Sequence, residues 1–217
     1  MPRESKADRS KRCHEITQLL EAAYPDAHCE LVFSNPLELL VATILSAQCT
    51  DKQVNKVTEE LFRRFQTPAD YADADPQMFA DSIRRIGLYK NKAKNIQATC
   101  RTIQTAHGGQ VPSTIEALTE LPGVGRKTAN VVLGNAFGIN VGVVVDTHVS
   151  RLSQRLRLTS AKDPIRIESD LMELVPKAKW TLFSHWLIWH GRRCCRARNP
   201  DCTACPLRTL CPSADKV

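Results

Sequence analysis

No stretch of the 217-residue sequence is apolar for long enough to cross a bilayer, and the opening MPRESKADRSKR lacks the apolar core of a secretory signal. Those absences exclude a helical membrane span and an export leader, so a soluble, cytoplasmic protein without membrane contacts is expected, nucleoid-associated if its source is bacterial. Strand signals are scarce as well: the one β-branched run, Val141 to Val145, does not alternate and reads as an extended connector. There is no internal repeat and no low-complexity linker, which excludes solenoids and flexibly tethered arrays. Nothing in the sequence signals oligomerisation, and a monomer is expected.

Helical periodicity fills the space the strands leave. Ile16, Leu19, Leu20 and Ala23 form a first amphipathic stripe, and Leu37, Leu40, Val41, Ile44 and Leu45 a strongly apolar one after the cap Asn35-Pro36. A third runs from Val54 to Phe65. Shorter helices follow around Tyr71 and from Met78 to Ile86, then a longer one from Lys92 to Ala106, and later Ile165 to Val175 and Trp180 to Gly191. The fold class is all-α. The charged residues 1–12 are expected to be disordered, although a basic arm adding electrostatic affinity fits the same composition. A formal net charge of +7 is compatible with a polyanionic partner without demanding one.

The most informative segment is Leu121-Pro122-Gly123-Val124-Gly125-Arg126-Lys127, set between the stripe Ile115, Leu118, Leu121 and a helix beginning at Thr128-Ala-Asn-Val-Val-Leu133. Pro122 ends the first helix, and Gly123 and Gly125 can take the positive φ of a tight reversal. Such a helix-hairpin-helix leaves unpaired N–H groups at the start of its second helix, where the macrodipole favours an anion such as a DNA phosphate. An ordinary turn with a glycine cap reads the same glycines. Lys127 lies at the positive end of that dipole, a field that favours the neutral amine. A neutral amine can attack an electrophilic sugar carbon and go on to a Schiff base, whereas a lysine that only holds phosphate fits the same position. Asp146, between Val143-Val144-Val145 and Thr147-His148-Val149, stands at a helix N-terminus as a cap or a catalytic carboxylate; His148 reads as structural.

Nine cysteines in a reducing compartment point to metal before disulfides. Cys13, Cys29, Cys49 and Cys100 are scattered and read as small core residues. Cys195, Cys202, Cys205 and Cys211 form C-x6-C-x2-C-x5-C, with Pro200, Pro206 and Pro212 supplying turns. Four thiolates on one loop imply a metal, and on ligand chemistry alone zinc and an iron–sulfur cluster fit equally. Cys194 is a spare thiol or a competing ligand. Arg192, Arg193, Arg196, Arg198 and Arg208 around them serve phosphate contact or compensate thiolate charge.

LPGVGRKTANVVL, then VDTHV, then HWLIWHGRRCCRARNPDCTACPLRTLC, together with Ser46-Ala47-Gln48, Thr50-Asp51 and Ile86-Gly87-Leu88-Tyr89, resemble the endonuclease III family of the helix-hairpin-helix superfamily over roughly Leu31 to Cys211. The resemblance implies a DNA glycosylase fold with a helical-barrel domain (29–140), an iron–sulfur domain (13–28 with 141–217) and a DNA-binding cleft between them. It implies a base-excision-repair enzyme acting on damaged double-stranded DNA: an N-glycosylase for oxidised pyrimidines that also cleaves 3′ of abasic sites as an AP lyase. In that family the hairpin lysine, here Lys127, is the Schiff-base nucleophile and the aspartate, here Asp146, its partner. Cys195, Cys202, Cys205 and Cys211 would hold a [4Fe-4S] cluster, and Gly123, Val124, Gly125 and Arg126 the DNA backbone. Gln48 would fill the gap left by an extruded nucleotide and Leu88 would intercalate opposite, where a buried polar residue and a loop-anchoring contact are the plainer readings. A mismatch-specific thymine or uracil glycosylase shares these motifs. The adenine-specific relative is disfavoured, because Val41-Ala42-Thr43-Ile44 carries no acid and the chain is expected to lack that relative's extra C-terminal domain. A non-catalytic DNA-binding module would not require Lys127 and Asp146 together.

Overall fold

The computed structural model describes residues 4–216, and among these it is built from eleven α-helices and no strand. In chain order they are α1 (Lys6–Ala23), α2 (Pro36–Ser46), α3 (Asp51–Arg64), α4 (Pro68–Asp73), α5 (Pro76–Ser82), α6 (Tyr89–Ala106), α7 (Ile115–Thr119), α8 (Arg126–Ala136), α9 (Thr147–Arg155), α10 (Pro164–Leu174) and α11 (Trp180–Arg193). They fall into two compact units, one formed by Cys29–Ile139 and the other by Met1–His28 with Asn140–Val217.

In the unit Cys29–Ile139, α2 is the central helix. Asn35 accepts from the Glu38 amide and Pro36 opens the first turn, after which Leu37, Leu39, Leu40, Val41, Ala42, Ile44 and Leu45 are all buried. A helix apolar on nearly every side has to be surrounded, and α3, α6 and α8 pack on it. The long α6 also carries α4 and α5. At that end Phe65 stacks on Tyr71 at 5.1 Å between ring centroids, and Phe79 meets both edge-on. The helix expected from Met78 to Ile86 stops at Ser82, whose hydroxyl donates back to the Phe79 carbonyl at 2.6 Å, and tight turns continue to Leu88. In consequence α6 starts at Tyr89, three residues ahead of the expected Lys92.

The second unit is organised on α11, which buries Trp180, Phe183, Trp186, Leu187, Trp189 and His190 and contacts α1 and α9. The valine run ahead of α9 is extended and unpaired as a strand; the Val144 amide donates to Ser184 Oγ at 2.9 Å. One expectation is overturned here. Residues 1–12 read as disordered, yet α1 begins at Lys6, with Ser5 accepting from the Asp8 amide as its cap; positions 1–3 lie outside the described residues. Arg12 supplies the reason, since its guanidinium pairs with Glu4 at 2.7 Å and donates to the Leu156 and Leu210 carbonyls, so the charged helix end is tied to the core. Of the four scattered cysteines, Cys13 and Cys100 are core residues, while Cys29 and Cys49 are half-buried.

Candidate active site and thiol centre

The hairpin between α7 and α8 is a type II turn. The Val124 amide bonds the Leu121 carbonyl at 3.1 Å, Pro122 occupies the second position and Gly123 takes φ +76° at the third. A Cβ on Gly123 would lie 2.7 Å from Asn95 Nδ2, and Thr99 Oγ1 donates to the Pro122 carbonyl, so α6 props the turn from behind. Gly125 departs from expectation: it is extended, at φ −91°, and serves as the N-cap of α8 with no side-chain cap bond. A Cβ there would meet open space, so glycine at this cap leaves the first turn uncovered. Val124 contributes its buried side chain, its amide being committed to the turn. Lys127 is the second residue of α8 and is exposed. Five of the seven helices in this unit carry a side-chain N-cap bond; the two without one are α8 and α6.

The helix α6 starts from Leu88, which is in the left-handed region at φ +59° and 58 % exposed. Gln48 is likewise left-handed, at φ +55°, and exposed. A buried polar residue and a loop-anchoring apolar contact are therefore not what these positions hold. The two loops adjoin, for a Cβ on Gly87 would come within 3.9 Å of the Gln48 carbonyl oxygen. Both are non-glycine residues in a conformation that costs about 1–3 kcal/mol each, and both are displayed to solvent on adjoining loops, which makes them a candidate contact surface.

In the other unit Asp146 caps α9, Oδ1 accepting from the Val149 amide at 2.8 Å. Beside it His148 is held below the usual imidazole range, by burial first and by the charges of Arg151 and Arg192, against the pull of Asp146. Arg151 donates to the Gly191 and Cys195 carbonyls, and Arg155, one turn on, to the carbonyls of Arg196 and Ala197 and to Cys195 Sγ at 3.3 Å. Thus α9, the helix Asp146 opens, holds the cysteine loop with two arginines. Sequence reasoning placed the charge compensation on the loop's own arginines and missed this pair; Arg-x3-Arg on the helix after Asp146 was the available signal.

Cys195, Cys202, Cys205 and Cys211 line a single cavity, with Cys194, His190 and Leu207 in its wall. Burial pushes the Cys205 and Cys211 thiols up, the neighbouring cysteines adding to it, so these two would ionise together only with a cation beside them. His190 was not anticipated. Burial lowers its imidazole to about 4, so it is neutral; Nδ1 lies 2.9 Å from the Tyr24 hydroxyl and Nε2 3.5 Å from Cys205 Sγ. His190, Cys194 and Cys205 bring their ligand atoms within 4.8 Å of one another, a group that shares only Cys205 with the predicted four. The Cys194 thiol, raised by burial to about 12, is directed at the Asp201 carbonyl.

Comparison with known proteins decides the family. The model of the HhH-GPD superfamily, base excision DNA repair proteins, matches residues 41–177. The chain belongs to that superfamily. Within it, endonuclease III of Synechocystis sp. is 55 % identical over 96 % of the chain and 95 % of its own length. A solved structure of a trapped endonuclease III–DNA covalent intermediate superposes with a TM-score of 0.91 at 45 % identity, covering 95 % of this chain and 97 % of that one. A thermostable thymine-DNA glycosylase matches with a TM-score of 0.85 at 25 % identity, over 95 % of this chain and 98 % of that one. The expected kinship with endonuclease III and the all-helical glycosylase fold are thereby established.

Proposed function

We propose that the chain is a base-excision-repair DNA glycosylase of the endonuclease III type that removes oxidised pyrimidines from double-stranded DNA and cleaves the resulting abasic site as an AP lyase, working as a cytoplasmic monomer. The observation that carries this reading is the placement of Lys127 in the first turn of a helix with a glycine cap and no side-chain cap bond. A phosphate bound at that N-terminus holds the strand beside the amine. Lys127 Nζ attacks C1′ of the damaged nucleotide and the base departs with the glycosidic electron pair. The Asp146 carboxylate stabilises the cationic character of the sugar. Ring opening gives an imine between Nζ and C1′. Loss of a C2′ proton then expels the 3′ phosphate by β-elimination, and water hydrolyses the resulting conjugated imine, freeing the Lys127 amine and leaving an unsaturated aldehyde on the 3′ end. Gln48 and Leu88, exposed on adjoining loops, would occupy the duplex gap left by the extruded nucleotide.

Cys195, Cys202, Cys205 and Cys211 fit a [4Fe-4S] cluster by donor chemistry, all four lining one cavity, with Arg155 and the neutral His190 beside two of the sulfurs. When bound, the cluster supplies iron–thiolate bonds that hold the loop gripped by α9. His190, Cys194 and Cys205 are the alternative ligand set for a single metal ion. Base choice is tested with duplexes that each carry one defined lesion. Release of oxidised pyrimidines, with strand cleavage, is expected. Action confined to thymine or uracil in mismatches would favour the thymine-glycosylase reading, for which the likeness to that enzyme is the supporting observation.

A further inference from the structure

The first turn of α6 carries a lysine that the chemistry above does not use. Lys92 is only 5 % exposed, and its ammonium has no carboxylate beside it; Nζ donates instead to the Leu45 carbonyl at 2.9 Å and the Ala47 carbonyl at 2.5 Å. Burial lowers its amine from the ordinary value, so keeping a charge there works against solvation. The Leu45 carbonyl belongs to the last turn of α2, where a cation is favoured by the dipole. The Ala47 carbonyl is outside the helix, and its position gives the lysine a second effect.

Residues Ser46 to Cys49 form a turn closed by the Cys49 amide on the Ser46 carbonyl at 3.0 Å. Ala47 has φ −56° and ψ 116°, and Gln48 has φ +55°, the dihedrals of a type II turn. Type I and type II turns differ by a flip of the central peptide, here Ala47–Gln48, and the flip reverses the direction of the Ala47 carbonyl. Type II asks for glycine or asparagine at the third position, and glutamine there is strained. Such strain persists only where the surroundings impose it. The Lys92 bond to the Ala47 carbonyl is that imposition. The same lysine is tied by its own backbone amide to the Leu88 carbonyl at 3.1 Å, so one residue joins both exposed left-handed positions.

We infer that Lys92 is a positioning residue: by holding the Ala47 carbonyl it fixes the type II turn that presents Gln48 beside Leu88 for insertion into DNA. The inference rests on the insertion role proposed for Gln48, and the experiment separates the two. Lys92→Met, Gln48→Ala and the double variant are compared in single-turnover base release from a lesion duplex and in cleavage of an abasic site in single-stranded DNA, which has no gap to fill; the sign of φ at Gln48 is read in the free protein from the one-bond Cα–Hα coupling together with the intraresidue amide–Hα NOE. Lys92→Met is expected to bring Gln48 to negative φ. It should also slow the duplex reaction by about tenfold, the scale of one charge-assisted hydrogen bond, and leave single-strand cleavage unchanged. The double variant should be no slower than Gln48→Ala. A positive φ retained in Lys92→Met, additive losses in the double variant, or equal losses on both substrates would overturn the inference. If Gln48→Ala alone leaves the duplex rate intact, the insertion role has failed, and the coupling measurement still decides whether Lys92 sets the turn. Should the methionine variant not fold, Lys92→Ala, which lets water reach the two carbonyls, carries the same measurements with the same outcomes.

Discussion

The structural role of Asp146 can be separated by experiment from the chemical role proposed for it. Its Oδ1 caps α9, and that much would explain its presence. Asparagine caps a helix as well as aspartate does but carries no charge, so Asp146→Asn should leave stability within about 0.5 kcal/mol of the parent, whereas Asp146→Ala loses about 1 kcal/mol with the cap. If the carboxylate stabilises a cationic sugar, the asparagine variant should still bind lesion DNA and release the base at least about a hundredfold more slowly. Thermal melts, binding and single-turnover rates read the three quantities. Parallel loss of binding and rate, or an unchanged rate, would make Asp146 a cap and nothing more.

At the scale of elements, the helix N-termini divide into those closed by a side-chain cap and those left open. Asn35, Thr50, Thr67, Asp75 and Thr114 cap helices in the unit Cys29–Ile139 with side-chain bonds, while Gly125 and Leu88 do not. Gly125→Ser tests whether the difference serves an anion. The added side chain enters open space and can cap α8, so stability should stay the same or rise by a few tenths of a kcal/mol. The same hydroxyl would take the place of a phosphate, and affinity for abasic-site DNA should fall about three- to thirtyfold, the range expected for an anion at a helix terminus. An unchanged affinity in a binding titration would count against the phosphate site. These local features were unevenly legible in the sequence. Proline before glycine marked the hairpin because both residues act through the backbone, but that Gly123 has no room for a Cβ is set by Asn95, a contact made across 28 residues of chain. The disorder expected for residues 1–12 failed from Lys6 onward for a related reason: composition carries no trace of the distant carbonyls to which Arg12 donates.

For the molecule as a whole, periodicity was enough to give an all-helical chain, and motif order was enough to give its family, because both are written along the sequence. The supports of the site are not. Arg151 and Arg155 on the cysteine loop, His190 at Cys205 and Lys92 under the Gln48 turn are long-range contacts between residues that look like ordinary charged or core positions until the helices pack. In the proposed reaction one covalent step would join the parts functionally, the attack of Lys127 on the damaged sugar. Borohydride added to protein mixed with abasic-site DNA reduces the imine to a stable amine, and digestion of the adduct followed by mass spectrometry locates it. The account predicts a single trapped species, with the sugar remnant on Lys127 and no adduct in Lys127→Ala. An adduct on another residue, or one that persists in Lys127→Ala, would contradict it.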